Sequence, residues 1–127
     1  MTGFVPLPNV PADAVADFAL RLVRVPSLSR EEARVARLVE DEMRALGYDV
    51  EVDAMGNVVG TIGNADAPCV LVDAHMDTVG VTEPDKWTHD PRGERAGDVL
   101  YGRGTMDMKG PLAAAVYGVG RLKEHLA

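Results

Sequence analysis

The run Cys69-Val-Leu-Val-Asp-Ala74 constrains the fold of this chain more than any other segment. It is apolar at every position except Asp73, so neither of its faces is suited to water. A strand of that kind belongs in the middle of a sheet, covered by helices on both sides. The expected fold class is therefore α/β, a layered domain with a mixed, mostly parallel central sheet flanked by helices.

The remaining sequence supplies the layers. Between Pro11 and Pro26, Val15, Phe18, Ala19, Leu22 and Val25 recur at helical spacing. Ser29-Arg-Glu-Glu32 reads as a capping box for a second helix. Val35, Leu38, Val39, Met43 and Leu46 form its apolar face, and Gly47 is its stop. Tyr48, Val50 and Val52 alternate with Asp49, Glu51 and Asp53, the period of a half-buried strand. Gly56-Asn57 marks a turn into a second strand over 58–62, and a loop follows from Gly63 to Pro68. The polar stretch 78–97 predicts a loop with a short hairpin at its end. Gly110-Pro111 opens a last helix with the stripe Leu112, Val116, Val119, Leu122 and Leu126. The chain stops at Ala127 with no capping glycine and no return strand, so the expectation is the N-terminal portion (1–127) of a single longer domain.

Composition excludes several classes. At 127 residues, 46% hydrophobic and 26% charged, the chain is one globular domain and too apolar for disorder. A net charge of −7 without a basic stripe argues against a nucleic-acid partner. No apolar run reaches transmembrane length, so no membrane partner is expected. Met1 to Pro8 lacks the basic start of a signal peptide. One cysteine, Cys69, allows no intrachain disulfide and suits a reducing cytoplasm, the expected location.

Two segments carry residues able to do chemistry. At the carboxyl end of the apolar run, Asp73-Ala-His75-Met-Asp77 places His75 and Asp77 two apart, on one side of an extended chain. A carboxylate on one imidazole nitrogen leaves the other free for a metal, although a plain surface pair has the same spacing. The second segment is Gly102-Arg-Gly-Thr-Met-Asp107-Met-Lys-Gly110. Asp107 just before a helix could bridge two cations, or could simply cap a glycine-rich turn. A nucleotide-binding reading is weak, because Asp107 stands where a dinucleotide fingerprint has its third glycine, and Gly110 follows Lys109 where a phosphate loop has Ser or Thr.

Taken together, His75-Met-Asp77 and Tyr101-Gly-Arg-Gly-Thr-Met-Asp107-Met-Lys-Gly110 resemble the signature of the M20 family of metallopeptidases and deacylases, which includes acetylornithine deacetylase, succinyl-diaminopimelate desuccinylase and carboxypeptidase G2. Gly56-Asn57-Val58-Val59 and Trp87-Thr-His-Asp-Pro91 also look like the family, so the resemblance covers nearly the whole chain. It implies a zinc-peptidase-like catalytic domain in which His75 ligates one zinc, Asp107 bridges two, and Asp77, the catalytic-site candidate, orients His75. Cobalt or manganese would suit such ligands as well. The implied reaction is attack of zinc-activated water on an amide or peptide carbonyl of an N-acylated amino acid or short peptide. The family's Glu-Glu pair, which supplies the general base and a ligand, its further acidic ligand and its late histidine have no counterpart here. Glu31-Glu32 is a decoy, since it lies upstream. The lid domain is absent too, so a homodimer is expected only of a full-length form. Alone, the chain is expected to bind zinc weakly and hydrolyse nothing. The rival reading is a catalytically dead remnant serving as a binding module.

Other residues have plainer expected roles. His89 reads as a solvated loop histidine, Trp87 as packing its loop down, and His125 as a partner for the last helix's dipole. Cys69 reads as a buried, inert thiol and Lys109 as half of a structural ion pair. Arg103 reads as reaching an anionic substrate or a local carboxylate.

Overall fold

A computed structural model describes residues 9–64 and 66–126. Met1 to Pro8, Ala65 and Ala127, on which the expectations about a signal peptide, one loop position and the chain's end fall, lie outside the described residues. Helix α1 (Ala12–Val23) begins directly after Pro11 and buries Phe18, Ala19, Leu22 and Val23. Helix α2 (Ala33–Ala45) buries Val35, Ala36 and Val39. Gly47, at φ +85°, takes the left-handed conformation that ends it.

The capping box does not form. No side chain caps α2; Glu32 Oε1 accepts from the Arg30 N–H at 2.8 Å instead. The Ser29 hydroxyl is engaged by Asp77, distant in sequence, and a tertiary partner has displaced the local one.

Helix α3 (Gly110–Leu122) starts with Pro111 in its first turn and buries Leu112, Ala113, Val116, Tyr117 and Gly120. The buried face is rotated from the expected stripe, because α3 approaches Tyr48 closely. A Cβ on Gly120 would lie 3.2 Å from that ring. Val119 and Leu122 are only half-buried and Leu126 is 50% exposed. The core joins α1, α2 and α3 through Phe18, Ala19, Leu22, Val35, Val39, Leu112, Ala113, Val116 and Tyr117.

Two antiparallel hairpins complete the structure. Strands β1 (Asp49–Val52) and β2 (Val58–Thr61) pair with Asp49 opposite Thr61 and Val52 opposite Val58. Asp53 closes their turn, accepting from the Met55 and Asn57 N–H groups at 2.9 Å. Strands β3 (Glu94–Ala96) and β4 (Val99–Tyr101) form the hairpin expected at the end of the long loop.

The architecture is mixed α/β, but the mostly parallel central sheet does not form among the described residues. Residues 69–80 run without strand pairing, and Val70 and Leu71 are 87% and 84% exposed. Cys69 is exposed as well, not buried as expected. The physical reason is that a central strand needs a ladder on both edges and cover on both faces. Among the described residues the one backbone-to-backbone hydrogen bond between this segment and another element or loop is the Thr78 N–H to the Ser27 carbonyl, at 2.8 Å.

Buried tyrosines make the core sensitive to alkali. The Tyr48 hydroxyl donates to the Val116 carbonyl and the Tyr117 hydroxyl to Glu42, both at 2.5 Å. Burial pushes each phenol up to about 12. Unfolded, each ionises near its ordinary value of about 10, so above that pH the unfolded chain releases protons that the folded one keeps. Stability should fall between pH 10 and 12 by about 1.4 kcal/mol per pH unit for each tyrosine. Urea melts across that range test this, and Tyr48→Phe should remove about half of the slope. An unchanged slope in that variant would show that Tyr48 ionises freely in the folded chain.

Candidate metal centre

Three loop segments converge beside the C-terminal end of α1. The loop after α1 grips residues 76–78 in three places. The Ser27 hydroxyl, fully buried, donates to the Met76 carbonyl at 2.8 Å, the Ser27 carbonyl accepts from the Thr78 N–H at 2.8 Å, and the Ser29 hydroxyl donates to Asp77 Oδ2. This places the end of the apolar run where the third segment, Thr105–Lys109, meets it.

Within that junction His75 lies between two carboxylates. Its Nδ1 is 3.1 Å from both Asp77 Oδ1 and the Asp77 carbonyl oxygen, and its Nε2 is 2.7 Å from Asp107 Oδ1. The His75 backbone N–H points at the Met108 sulfur, 3.3 Å away. The Asp107 hydrogen bond is the main cause that raises the His75 pKa, supported by Asp77. The Ser29 hydroxyl is the main cause that holds the Asp77 carboxyl below its usual range. Both arrangements favour the charged forms, an imidazolium at His75 and a carboxylate at Asp77.

The backbone around Asp107 is set by two devices. Gly104 has φ +86°, and a Cβ there would come within 2.5 Å of the Thr78 methyl, so only glycine lets the segments close. Lys109 then ties the segment to the core. It is 1% exposed, and its ammonium donates to the carbonyls of Leu22 and Val25 at 2.9 and 2.7 Å. These are acceptors around the C-terminus of α1, where the helix dipole favours a cation. The expected ion pair is thus corrected to a cage of carbonyls, and burial pushes the ammonium down to about 8.

His75, Asp77, Thr78 and residues 102–107 line a cleft of 240 Å³. Arg103 also borders a second, shallower cleft of 370 Å³ lined by Thr82, Glu83, Lys86, Trp87 and Thr88. Its guanidinium lies 5.3 Å from the centre of the Trp87 ring, and its buried Nε has no hydrogen-bond partner among the described residues. No carboxylate pairs with Arg103 among the described residues; Trp87 holds its guanidinium by a cation–π interaction.

His89 lies in the loop but is half-buried rather than solvated. It stacks on Tyr101 with ring centres 3.6 Å apart, and its Nδ1 is 3.1 Å from Glu94 Oε1. His125 lies in a short 3-10 turn after α3. Glu31 and Glu32 stay outside the cleft. Sequence reading missed Ser29 and Lys109 as parts of the site. The available signals were the alternation of Ser27 with Ser29 and the separation of Lys109 from Asp107 by one residue.

The family model described as peptidase family M20/M25/M40 matches residues 71–127, the stretch that carries both motifs. The chain belongs to the M20 family. It is 42% identical over 102 residues to the uncharacterized protein YgeY of Escherichia coli K12, an alignment covering 79% of this chain and 25% of that one. It is 37% identical over 115 residues to the [LysW]-lysine hydrolase of Deinococcus radiodurans, covering 91% of this chain and 30% of the relative. A succinyl-diaminopimelate desuccinylase of a Methylobacterium species is also 37% identical, over 84% of this chain and 28% of its own. The chain therefore spans between a quarter and three-tenths of the length of these M20 relatives. No helix among the described residues is long and apolar enough to cross a membrane.

Proposed function

We propose that this M20 chain carries part of the machinery of a zinc-dependent hydrolase acting on amide or peptide bonds, with an N-acylated amino acid or short peptide as substrate. The observation that carries the reading is His75 Nε2 facing Asp107 Oδ1 at 2.7 Å while Asp77 holds the other ring nitrogen. Imidazole and carboxylate make a donor set suited to zinc, cobalt or manganese. The Asp107 side chain is 87% exposed, open to a cation from the cleft. His75 and Asp107 are the residues that would hold the metal. When bound, zinc supplies Lewis-acid polarisation of a carbonyl and a nucleophile derived from water near neutral pH. Asp77 fixes the His75 ring, and the Ser27 and Lys109 tethers hold both ligand segments against α1.

The named relatives support the substrate class, since one is a desuccinylase and another a hydrolase of a lysine conjugate. In a chain of the relatives' length, the same reading puts this stretch in the N-terminal portion of the catalytic domain, with Val70, Leu71 and Val72 inside a mostly parallel sheet.

No three His, Cys, Asp or Glu side chains converge as a metal cage among the described residues, whereas catalytic zinc sites use three protein ligands. The 127-residue chain by itself is therefore expected to hold zinc weakly and to turn over no substrate. Two experiments test the reading. Cobalt titration, followed in the visible spectrum, should show a saturable site with imidazole ligation; no binding at millimolar cobalt would sink the metal assignment. A screen of N-acyl amino acids and dipeptides should show no hydrolysis. Turnover that His75→Ala abolishes would overturn the inactivity and leave the hydrolase assignment standing.

A further inference from the structure

We infer that Ser29 is a positioning residue for the candidate metal centre, holding Asp77 so that His75 presents Nε2 toward Asp107. The inference deepens the metal reading above and rests on it only where metal affinity is the readout. Its basis is a continuous polar line. The Ser29 hydroxyl donates to Asp77 Oδ2, Asp77 Oδ1 meets His75 Nδ1 at 3.1 Å beside the Asp77 carbonyl at the same distance, and His75 Nε2 meets Asp107 Oδ1 at 2.7 Å. One carboxylate thus has both oxygens engaged, one by the hydroxyl and one by the ring. Without the hydroxyl, nothing in this line fixes the rotation of the Asp77 carboxylate, whose side chain is 34% exposed.

Ser29 is placed for this task by its own backbone. The Ser27 carbonyl and hydroxyl bind Thr78 and Met76, the two neighbours of Asp77, so the loop and the Asp77 segment are in fixed register. Arg30 follows at φ +77°, turning the chain toward α2 after Ser29 has been presented to Asp77. The sequence pattern S-x-x-E would place this hydroxyl on the α2 N-terminus, yet α2 has no side-chain cap. Giving up a local cap forgoes about 1 kcal/mol, consistent with a hydroxyl engaged elsewhere. Groups that orient a ligating histidine typically change metal affinity by about 10-fold to 100-fold when removed.

The test uses the 127-residue chain with Ser29→Ala and Ser29→Thr. In the metal-free chain, NMR follows exchange of the His75 Nδ1 proton with water at fixed pH. Ser29→Ala should speed it about tenfold as Asp77 loses its orientation, and Ser29→Thr, which keeps the hydroxyl, should restore it. Cobalt affinity should fall about tenfold in Ser29→Ala and recover in Ser29→Thr. Urea melts should superimpose, because Ser29 is exposed and caps no helix. Unchanged proton exchange in Ser29→Ala overturns the inference whatever cobalt does. Faster exchange with no cobalt binding by any variant keeps Ser29 as the residue that positions Asp77 and overturns the metal reading alone. A melt shifted in Ser29→Ala and unrescued by Ser29→Thr would make the role structural and overturn the inference.

Discussion

Lys109→Met is expected to destabilise the chain by about 2–5 kcal/mol, a large share of the stability of a domain this size. Methionine nearly matches the lysine stem in length but donates nothing. The Val25 carbonyl would then face a place that is 1% exposed without a donor, and the Leu22 carbonyl would keep the Val25 N–H, at 3.2 Å. The orphaned Val25 carbonyl costs about 1–3 kcal/mol, and the lost charge-assisted bond to Leu22 about 1.5–3 kcal/mol. Removing a charge from a buried position offsets part of that, which keeps the expected loss below the simple sum with the dipole contribution. Lys109→Ala should cost more, since it adds a cavity beside Leu22. The loss should appear in urea melts at pH 7. If Lys109→Met melted within about 0.5 kcal/mol of the parent, the carbonyls would be satisfied by water, and Lys109 would not be the tether described. Lys109→Arg should not rescue fully, because a planar guanidinium does not fit a cage shaped around a compact ammonium.

His75→Ala and Asp107→Ala should each lower cobalt affinity by at least about 100-fold, the largest effect expected on metal binding. Each removes one of the two side chains that face one another across 2.7 Å, and a single remaining donor cannot compete with the hydration shell of the ion. Asp77→Asn should act through His75 and cost less, about 10-fold. The ordering is the informative part: if Asp77→Asn equalled the ligand variants, Asp77 would itself be in contact with the metal. Each variant should melt close to the parent, since His75 and Asp107 are exposed. A collapse in stability alongside the lost affinity would instead mark the pair as structural.

How much of this was legible beforehand differs by residue. His75, Asp77 and Asp107 stood out because the two motifs that carry them together resemble the M20 signature, and the structure brings them together. Ser29 was misread because a capping box is a local signature, and a local partner is all that a four-residue pattern can propose. Lys109 was misread because its acceptors are backbone carbonyls, which leave no trace in side-chain chemistry. The rotation of the α3 face was hidden for a related reason. Spacing marks which positions are apolar, whereas Ala113 and Gly120 are buried because a neighbour approaches closely there.

The sequence by itself determined the three helices, the two hairpins and their turns, and the residues on which the candidate chemistry rests. The elements depend on 3.6- and 2-residue periodicity and on glycine and proline, which act over a few neighbouring residues, and the candidate residues on the resemblance of their motifs to the M20 signature. Only the tertiary structure decided that His75 meets Asp107, that Ser29 serves Asp77 and not α2, and that Lys109 closes α1. It also decided that Val70 and Leu71 stand exposed. Each of these is a choice among partners far apart in the chain, and it is settled by which segments pack together, a quantity that no local pattern encodes.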